Sequence, residues 1–597
     1  MPSSQPLSPD PTGTGRRRSA TGVARALSLR GALALHPVDG ALPFAVRAAL
    51  AMALPALPLV LTGHPRLAVY AMLGAFTTTF GRTLPYRRRA WVLALVAVAM
   101  AACVGCGSLL AAWAHPLAGG AGAAAVVLAT AAVAGLAKFG CDAARLSGLG
   151  AVLLLFSFAV AANGSPTPED VLPRTALAVA GAATAWALSL SGWWWHPDRP
   201  ERLVVAAALR ELAGLMDSIG SGGSIGAKKD ATGAGDAGGH ARHRATATVL
   251  LAYRTLGLRP PAADERGDRG GVCGQLTDLS WSLLITSARQ PPEDPAGVAR
   301  QLRRQVRLLV DGRRRAPTLL PELSAAPAGT RTAPAGGAAA TGPAAARTAE
   351  LLDGPRPDRS GRLSVLAVPA LRMVLGTGLA GGLAVALHLG HGYWAAISAA
   401  AVLHSVNVRT TAQRAAQRTL GTLAGLLLAL GVLAAHPGAV ELAVVIVLLE
   451  FLLEYLVVRN YGLGVVFLTP LALLMSELAS PTPVAELVRQ RALASVLGIV
   501  IGLACALAVV HDRAAVRVER ALAACADAAE RAERALGDRS RPPTPAVQVH
   551  LAAAVVELRD ADDAAAGELW PAGIDPAVLA AAEQRAYLLL HRLVDDA

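Results

Sequence analysis

The feature that most limits what this chain can fold into is a series of long apolar runs spread over most of its 597 residues. A helix needs about 20 apolar residues to cross a bilayer, where no water is available to satisfy the backbone, so such runs read as membrane-crossing helices. Candidates fall at 41–61, 66–83, 90–113, 119–138, 146–162 and 171–194, and again at 366–389, 391–408, 415–435, 438–458, 461–477 and 489–511. These are two sets of six. With 54% hydrophobic and 16% charged residues, the composition excludes a large soluble enzyme. The heavy use of Ala, Gly and Arg fits a GC-rich bacterial source.

The formal net charge of +13 does not point to nucleic acid, because the basic residues flank apolar runs without interleaved aromatics. They mark orientation instead, since Lys and Arg near span ends stay on the cytoplasmic side. Arg16, Arg17, Arg18, Arg25 and Arg30 precede the first span; Arg82, Arg87, Arg88 and Arg89 follow the second; Lys138 and Arg145 follow the fourth. In the second half Arg409, Arg414 and Arg418 follow span eight, Arg459 span ten, and Arg513 and Arg517 span twelve. Both termini and the middle segment are therefore expected in the cytoplasm of a plasma (inner) membrane protein.

The halves also match in detail. "SPTP" begins at Ser165 and again at Ser480, and each copy precedes a span with an arginine seven residues before a glycine: Arg174 with Gly181, Arg491 with Gly498. The stretch from His64 to Arg82 has the spacing of His391 to Arg409. Such self-similarity indicates duplication, and an even number of spans per copy makes the copies parallel, with any pathway along the axis between them. The expected fold is an all-α polytopic membrane protein of two parallel six-helix repeats, each followed by a cytoplasmic helical segment. Its divisions are a largely disordered tail (1–40), the first repeat (41–196), a helical segment with disordered linkers (197–362), the second repeat (363–511) and a C-terminal helical bundle (512–597).

The segment Gly392 to Leu430, "GYWAAISAAAVLHSVNVRTTAQRAAQRTLGTLAGLLLAL", resembles the hallmark of the fusaric acid resistance and aromatic acid exporter proteins. Tyr393 and Trp394 open span eight, and Arg418, Gly421, Thr422 and Gly425 enter span nine as the family motif and packing stripe. The first half keeps Arg89 at the corresponding threshold but has no Gly-Thr-x-x-Gly. The resemblance implies export of small, often aromatic, organic acids without an ATPase; plant aluminium-activated malate channels are similar in their six-helix unit, which leaves a channel-like pore open. A scaffold whose cytoplasmic helices recruit partners is the alternative reading.

Charge at membrane depth costs about 2.5 to 3.5 kcal/mol on insertion scales, so each such residue needs a reason. Arg47 and Arg372 lie inside the cytoplasmic ends of spans one and seven in corresponding copies, where two guanidiniums would hold a carboxylate or else snorkel. Spans two and eight are among the shortest and are the most polar, a pointer to a binding site. They offer Thr77 against Tyr393, Trp394, Ser398, His404 and Asn407. Glu450 and Glu454, four apart on span ten, read as proton carriers or as ion-pair partners, and Lys138 and Asp142 as a local pair. Arg174 and Arg491, at the outer ends of spans six and twelve, read as snorkelling residues or as an outer basic vestibule. Cys103 and Cys106 have the spacing of a metal pair but no second ligand pair, so they read as part of a small-residue face. No catalytic residue, metal or cofactor is expected; the partners are the lipid bilayer and a small organic anion, with self-association left open.

Overall fold

The computed structural model describes residues 40–595 apart from 83, 117–119, 145, 147–149, 165, 222–233, 258–270, 288–290, 312–318, 321–322, 324–358, 390–391, 405–407, 481–482, 509–512, 539–544 and 566–574. The N-terminal tail, the glycine-rich and alanine-rich linkers of the middle segment, Ser165, His391 and Asn407 lie outside the described residues. Among the described residues all regular structure is helical.

The apolar runs form α1 (Ala41–Leu61), α2 (Pro65–Ala75, continued by a 3-10 turn Phe76–Thr79), α3 (Tyr86–Ala114), α4 (Gly120–Ala143), α5 (Gly150–Ala162) and α6 (Val171–Leu190). The middle segment contributes α7 (Arg199–Gly220), α8 (Ala234–Leu256), α9 (Gly271–Thr286) and α10 (Pro295–Val310). Then come α11 (Arg359–Ala386), α12 (Tyr393–Leu403), α13 (Val408–Ala434), α14 (Ala439–Leu456), α15 (Tyr461–Ala479) and α16 (Val484–Ala508), followed by α17 (Arg513–Gly537), α18 (Pro545–Ala565) and α19 (Pro576–Asp595). Local chemistry sets several boundaries. Pro65 and Pro295 occupy the first turn, where a missing N–H costs nothing. Asp294 caps α10, accepting from Gly297 N at 2.7 Å, and Asn460 caps α15, accepting from Leu463 N at 3.2 Å. Thr167 and Asp170 form a capping box just before α6.

Among the described residues, eight helices are long and apolar enough to cross a membrane: α1, α3, α4, α6, the 366–386 part of α11, α13, α15 and α16. The other four expected spans are different objects. The helices α2 and α12 have 11 residues each and α5 has 13, while α14 has 18 residues and carries Glu441, Glu450 and Glu454. At 1.5 Å per residue an 11-residue helix is about 16 Å long, roughly half a hydrocarbon core. In α12 every residue from Trp394 to Leu403 is buried, so its apolar faces meet protein, whereas α14 leaves Val440, Val444 and Leu448 exposed.

The chain divides into two compact units. The first holds residues 1–80, 94–188 and 366–510. In it α1 packs on α14 and α4 on α11, where Gly135 meets Val374 and Gly381 meets Val127. The short α2 lies against α6 at the mutual close approach of Gly74 to Ala178 and Gly181 to Ala71, and the short α12 against α16 at Gly498 and Gly502. The pair α3 and α5 crosses at Gly107, beside Phe158, and α13 and α15 cross at Gly421 and Gly425, beside Val465 and Thr469. Small residues at each crossing let backbones approach, which is how helices gain packing energy when lipid is as apolar as their side chains.

The second unit holds residues 81–93, 189–365 and 511–597. Its helices α7–α10 and α17–α19 share one apolar core, with Leu209, Leu212, Met216, Val249, Leu276 and Leu302 from one group and Val518, Cys525, Leu551, Val555 and Leu590 from the other. The two appendages read from the sequence as separate segments are thus one helical body. Polar contacts join them as well: His243 Nε2 lies 2.9 Å from Asp560 Oδ1, Thr246 Oγ1 is 3.1 Å from the Tyr587 hydroxyl, and the Arg242 guanidinium sits 5.5 Å from the Tyr587 ring centroid. Burial pushes the Tyr587 hydroxyl up to about 12 and the Cys273 and Cys525 thiols to about 11.

Candidate functional site: two buried guanidiniums

Three helices of the second half, α12, α13 and α16, build the site. Helix α12 runs alongside α16 in the same direction, Ala395 with Gly498 and Ala399 with Gly502. Helix α13 packs on α16 as well, and Val402, Ala415 and Ile499 form one cluster among the three helices. Arg418 and Thr422 on α13 are four apart, as are Arg491 and Ser495 on α16, so each pair shares a face of its helix.

All four are buried, with Arg418 1%, Arg491 2%, and Thr422 and Ser495 each 3% exposed. The Arg491 guanidinium lies 3.8 Å from the ring centroid of Trp394, itself 1% exposed, in a cation–π contact. Among the described residues, Nε and Nη1 of both arginines, the Thr422 and Ser495 hydroxyls, the Ser398 hydroxyl and the Trp394 indole N–H have no hydrogen-bond partner. Leaving one buried ion without a partner costs several kcal/mol even after relaxation, so two such cations on facing helices need a function or a counter-ion. No side chain caps the N-terminus of α12, where Trp394 sits.

Aromatic rings continue from the site. Tyr393 and Trp394 have centroids 4.8 Å apart, Trp394 and Phe156 5.7 Å, and Phe156 and Phe76 6.0 Å in an edge-to-face pair. Tyr393 also pairs with Ser476. The first half has a counterpart in Arg174, whose guanidinium lies 4.9 Å from the Tyr70 ring centroid. It differs in having an acid at hand, Asp170 Oδ2 at 3.6 Å.

The other candidates lie elsewhere. Arg47 is half-buried on α1, whereas Arg372 is 9% exposed on α11, in a helix that meets Leu403 and Cys505 at Gly376. Thr77 is fully buried, but its hydroxyl donates to its own turn, Gly74 O, at 2.8 Å. Ser398 is buried beside Gly498, and His404, partly exposed, ends α12. Glu450 and Glu454 are each 1% exposed on α14, and Thr79 donates to Glu454 Oε1 at 2.6 Å. Lys138 and Asp142 form the expected pair at 2.8 Å. Arg418 stands far inside its helix: α13 starts at Val408, so Arg418 is about 15 Å along it at 1.5 Å per residue. Sequence reasoning placed Arg491 at an outer interface, and its burial against Trp394 escaped that reading. The signal was present, since Arg491, Ser495 and Gly498 at i, i+4 and i+7 mark one face, the face that packs on α12.

Residues 379–505, the stretch holding both arginines, match the family described as fusaric acid resistance protein-like. The chain is 27% identical over 453 residues to the uncharacterized membrane protein YvaC of Bacillus subtilis (strain 168), covering 72% of this chain and 67% of that one. No solved structure matches. The second membrane half of this multi-pass membrane protein is thus similar to the fusaric acid resistance protein-like family.

Proposed function

We propose that the chain is an inner-membrane transporter that exports small organic anions, aromatic carboxylates foremost, with both termini and the helical unit in the cytoplasm. The transport path follows the axis between two parallel six-helix halves, one half rocking or gating against the other. The matched helix pairs support this architecture: α1 on α14 answers α11 on α4, α2 on α6 answers α12 on α16, and α3 on α5 answers α13 on α15. The half-length second helix of each half, α2 and α12, is what a substrate-binding discontinuous element looks like in such folds.

The observation that carries the functional reading is a buried arginine over an aromatic ring where the short helix of the second half meets the last helix of that half, Arg491 over Trp394. A guanidinium beside an aromatic face recognises a carboxylate through charge-assisted hydrogen bonds and a ring through stacking. Accumulation of labelled aromatic and aliphatic acids, compared in cells with and without the protein, tests the reading. Lower accumulation of one acid class in cells that contain the protein is expected. Equal accumulation of every acid would overturn it.

A further inference from the structure

We infer that Arg418 and Arg491, with Thr422, Ser495 and the Trp394 indole, form a binding site for one organic carboxylate between α12, α13 and α16. The inference rests on the transport reading above and deepens it by naming where the anion is held.

Four observations converge. The first is donor excess: two guanidiniums, two hydroxyls and one indole N–H share a small buried region, and each has at least one polar atom without a partner among the described residues. The second is that, among the described residues, neither arginine has a carboxylate partner. The buried carboxylates of the same unit, Glu450 and Glu454, stand on α14, and Glu454 accepts from Thr79, so they belong to a different helix packing. The third is the contrast with the first half, where Arg174 has Asp170 within 3.6 Å as a counter-ion of its own. A site whose arginine is already neutralised holds an anion poorly, and one whose two arginines repel each other gains most from an anion between them. The fourth is proximity: α13 packs on α16, and the two guanidinium charges act on each other, so two long side chains can close around a single carboxylate. Bidentate contact from one arginine, a second contact from the other, and a hydroxyl from each helix would fill the oxygen lone pairs. Trp394, already under the Arg491 guanidinium, supplies the ring face beside it.

The test uses full-length protein in lipid nanodiscs, with sodium benzoate as the probe and sodium chloride at equal ionic strength as the control, and reads thermal stability against probe concentration. A ligand that binds only the folded state raises the melting temperature saturably. The wild type is expected to show that rise with benzoate beyond the chloride control. Arg418→Met and Arg491→Met are expected to weaken it about ten- to a hundredfold, the range for losing a hydrogen bond to a charged group. Arg418→Lys and Arg491→Lys keep the charge and guard against misfolding; they are expected to lose less than the methionine variants and more than Arg174→Met, which is expected to bind as wild type. Unchanged benzoate affinity in all four Arg418 and Arg491 variants would overturn the site, as would a wild type with no benzoate response. The cellular accumulation assay separates the two claims: export that persists in those variants sinks the site alone, whereas no export by the wild type sinks the transport reading.

Discussion

Replacing Gly498 by alanine probes the crossing that positions Trp394 beneath Arg491. A Cβ there would drive into the Ala395 carbonyl and stand 2.8 Å from the Ser398 Cβ. Ordinary contacts begin near 3.4 Å, so relief at Ser398 alone requires about half an ångström and the carbonyl demands more. Overpacking of this kind costs about 1–3 kcal/mol, while alanine's better helix propensity returns at most about 1 kcal/mol. A net loss on the order of 1 kcal/mol is expected, together with a displaced α12. Gly431→Ala is the control, because a Cβ at Gly431 meets open space on α13. Thermal melts of purified protein in nanodiscs compare the two: Gly498→Ala should melt about one to two degrees below wild type, and Gly431→Ala at or above it. Equal melting temperatures for the two variants would refute the close crossing and with it the geometry of the site.

Three further outcomes follow from the structure. Leu551→Ala, in the core shared by α7–α10 and α17–α19, should cost about 2–5 kcal/mol and raise amide exchange in α8 as well as in α18; a rise confined to residues 513–595 would show separate bodies. Cys273 and Cys525, with thiols held near 11 by burial, should resist maleimide at pH 8, where only about one thiol in a thousand is ionised. Their labelling should climb as pH rises towards 11 and on unfolding; rapid labelling of the folded protein at pH 8 would contradict their burial. Arg491→Met, by removing a buried charge that has no carboxylate partner among the described residues, should leave the melting temperature close to or above that of wild type while abolishing export. A melting temperature far below wild type would mean that Arg491 is a structural pair member instead.

Much of the membrane part was legible because apolar length and periodicity are local properties. The runs beginning near 41, 90, 119 and 461 became α1, α3, α4 and α15 within a few residues. The shortness of the second segment in each half was also visible, as the 11 residues of α2 and α12 bear out. Depth was harder to read. Hydropathy starts span nine near 415, but the residues before it, rich in Ala, Gln and Arg, are good helix formers, so α13 extends back to Val408 and carries Arg418 inward. Partner choice was not legible at all. An amphipathic pattern shows that α8 and α18 each have an apolar face, yet nothing in the pattern says that those faces meet across some three hundred residues of chain.

The most direct test is counterflow of labelled benzoate in proteoliposomes of the purified full-length protein. An organic-anion transporter should take up label faster and saturably when unlabelled benzoate is loaded inside, and Arg418→Met or Arg491→Met should remove that acceleration. Uptake no different from protein-free liposomes, with or without internal benzoate, would contradict the account.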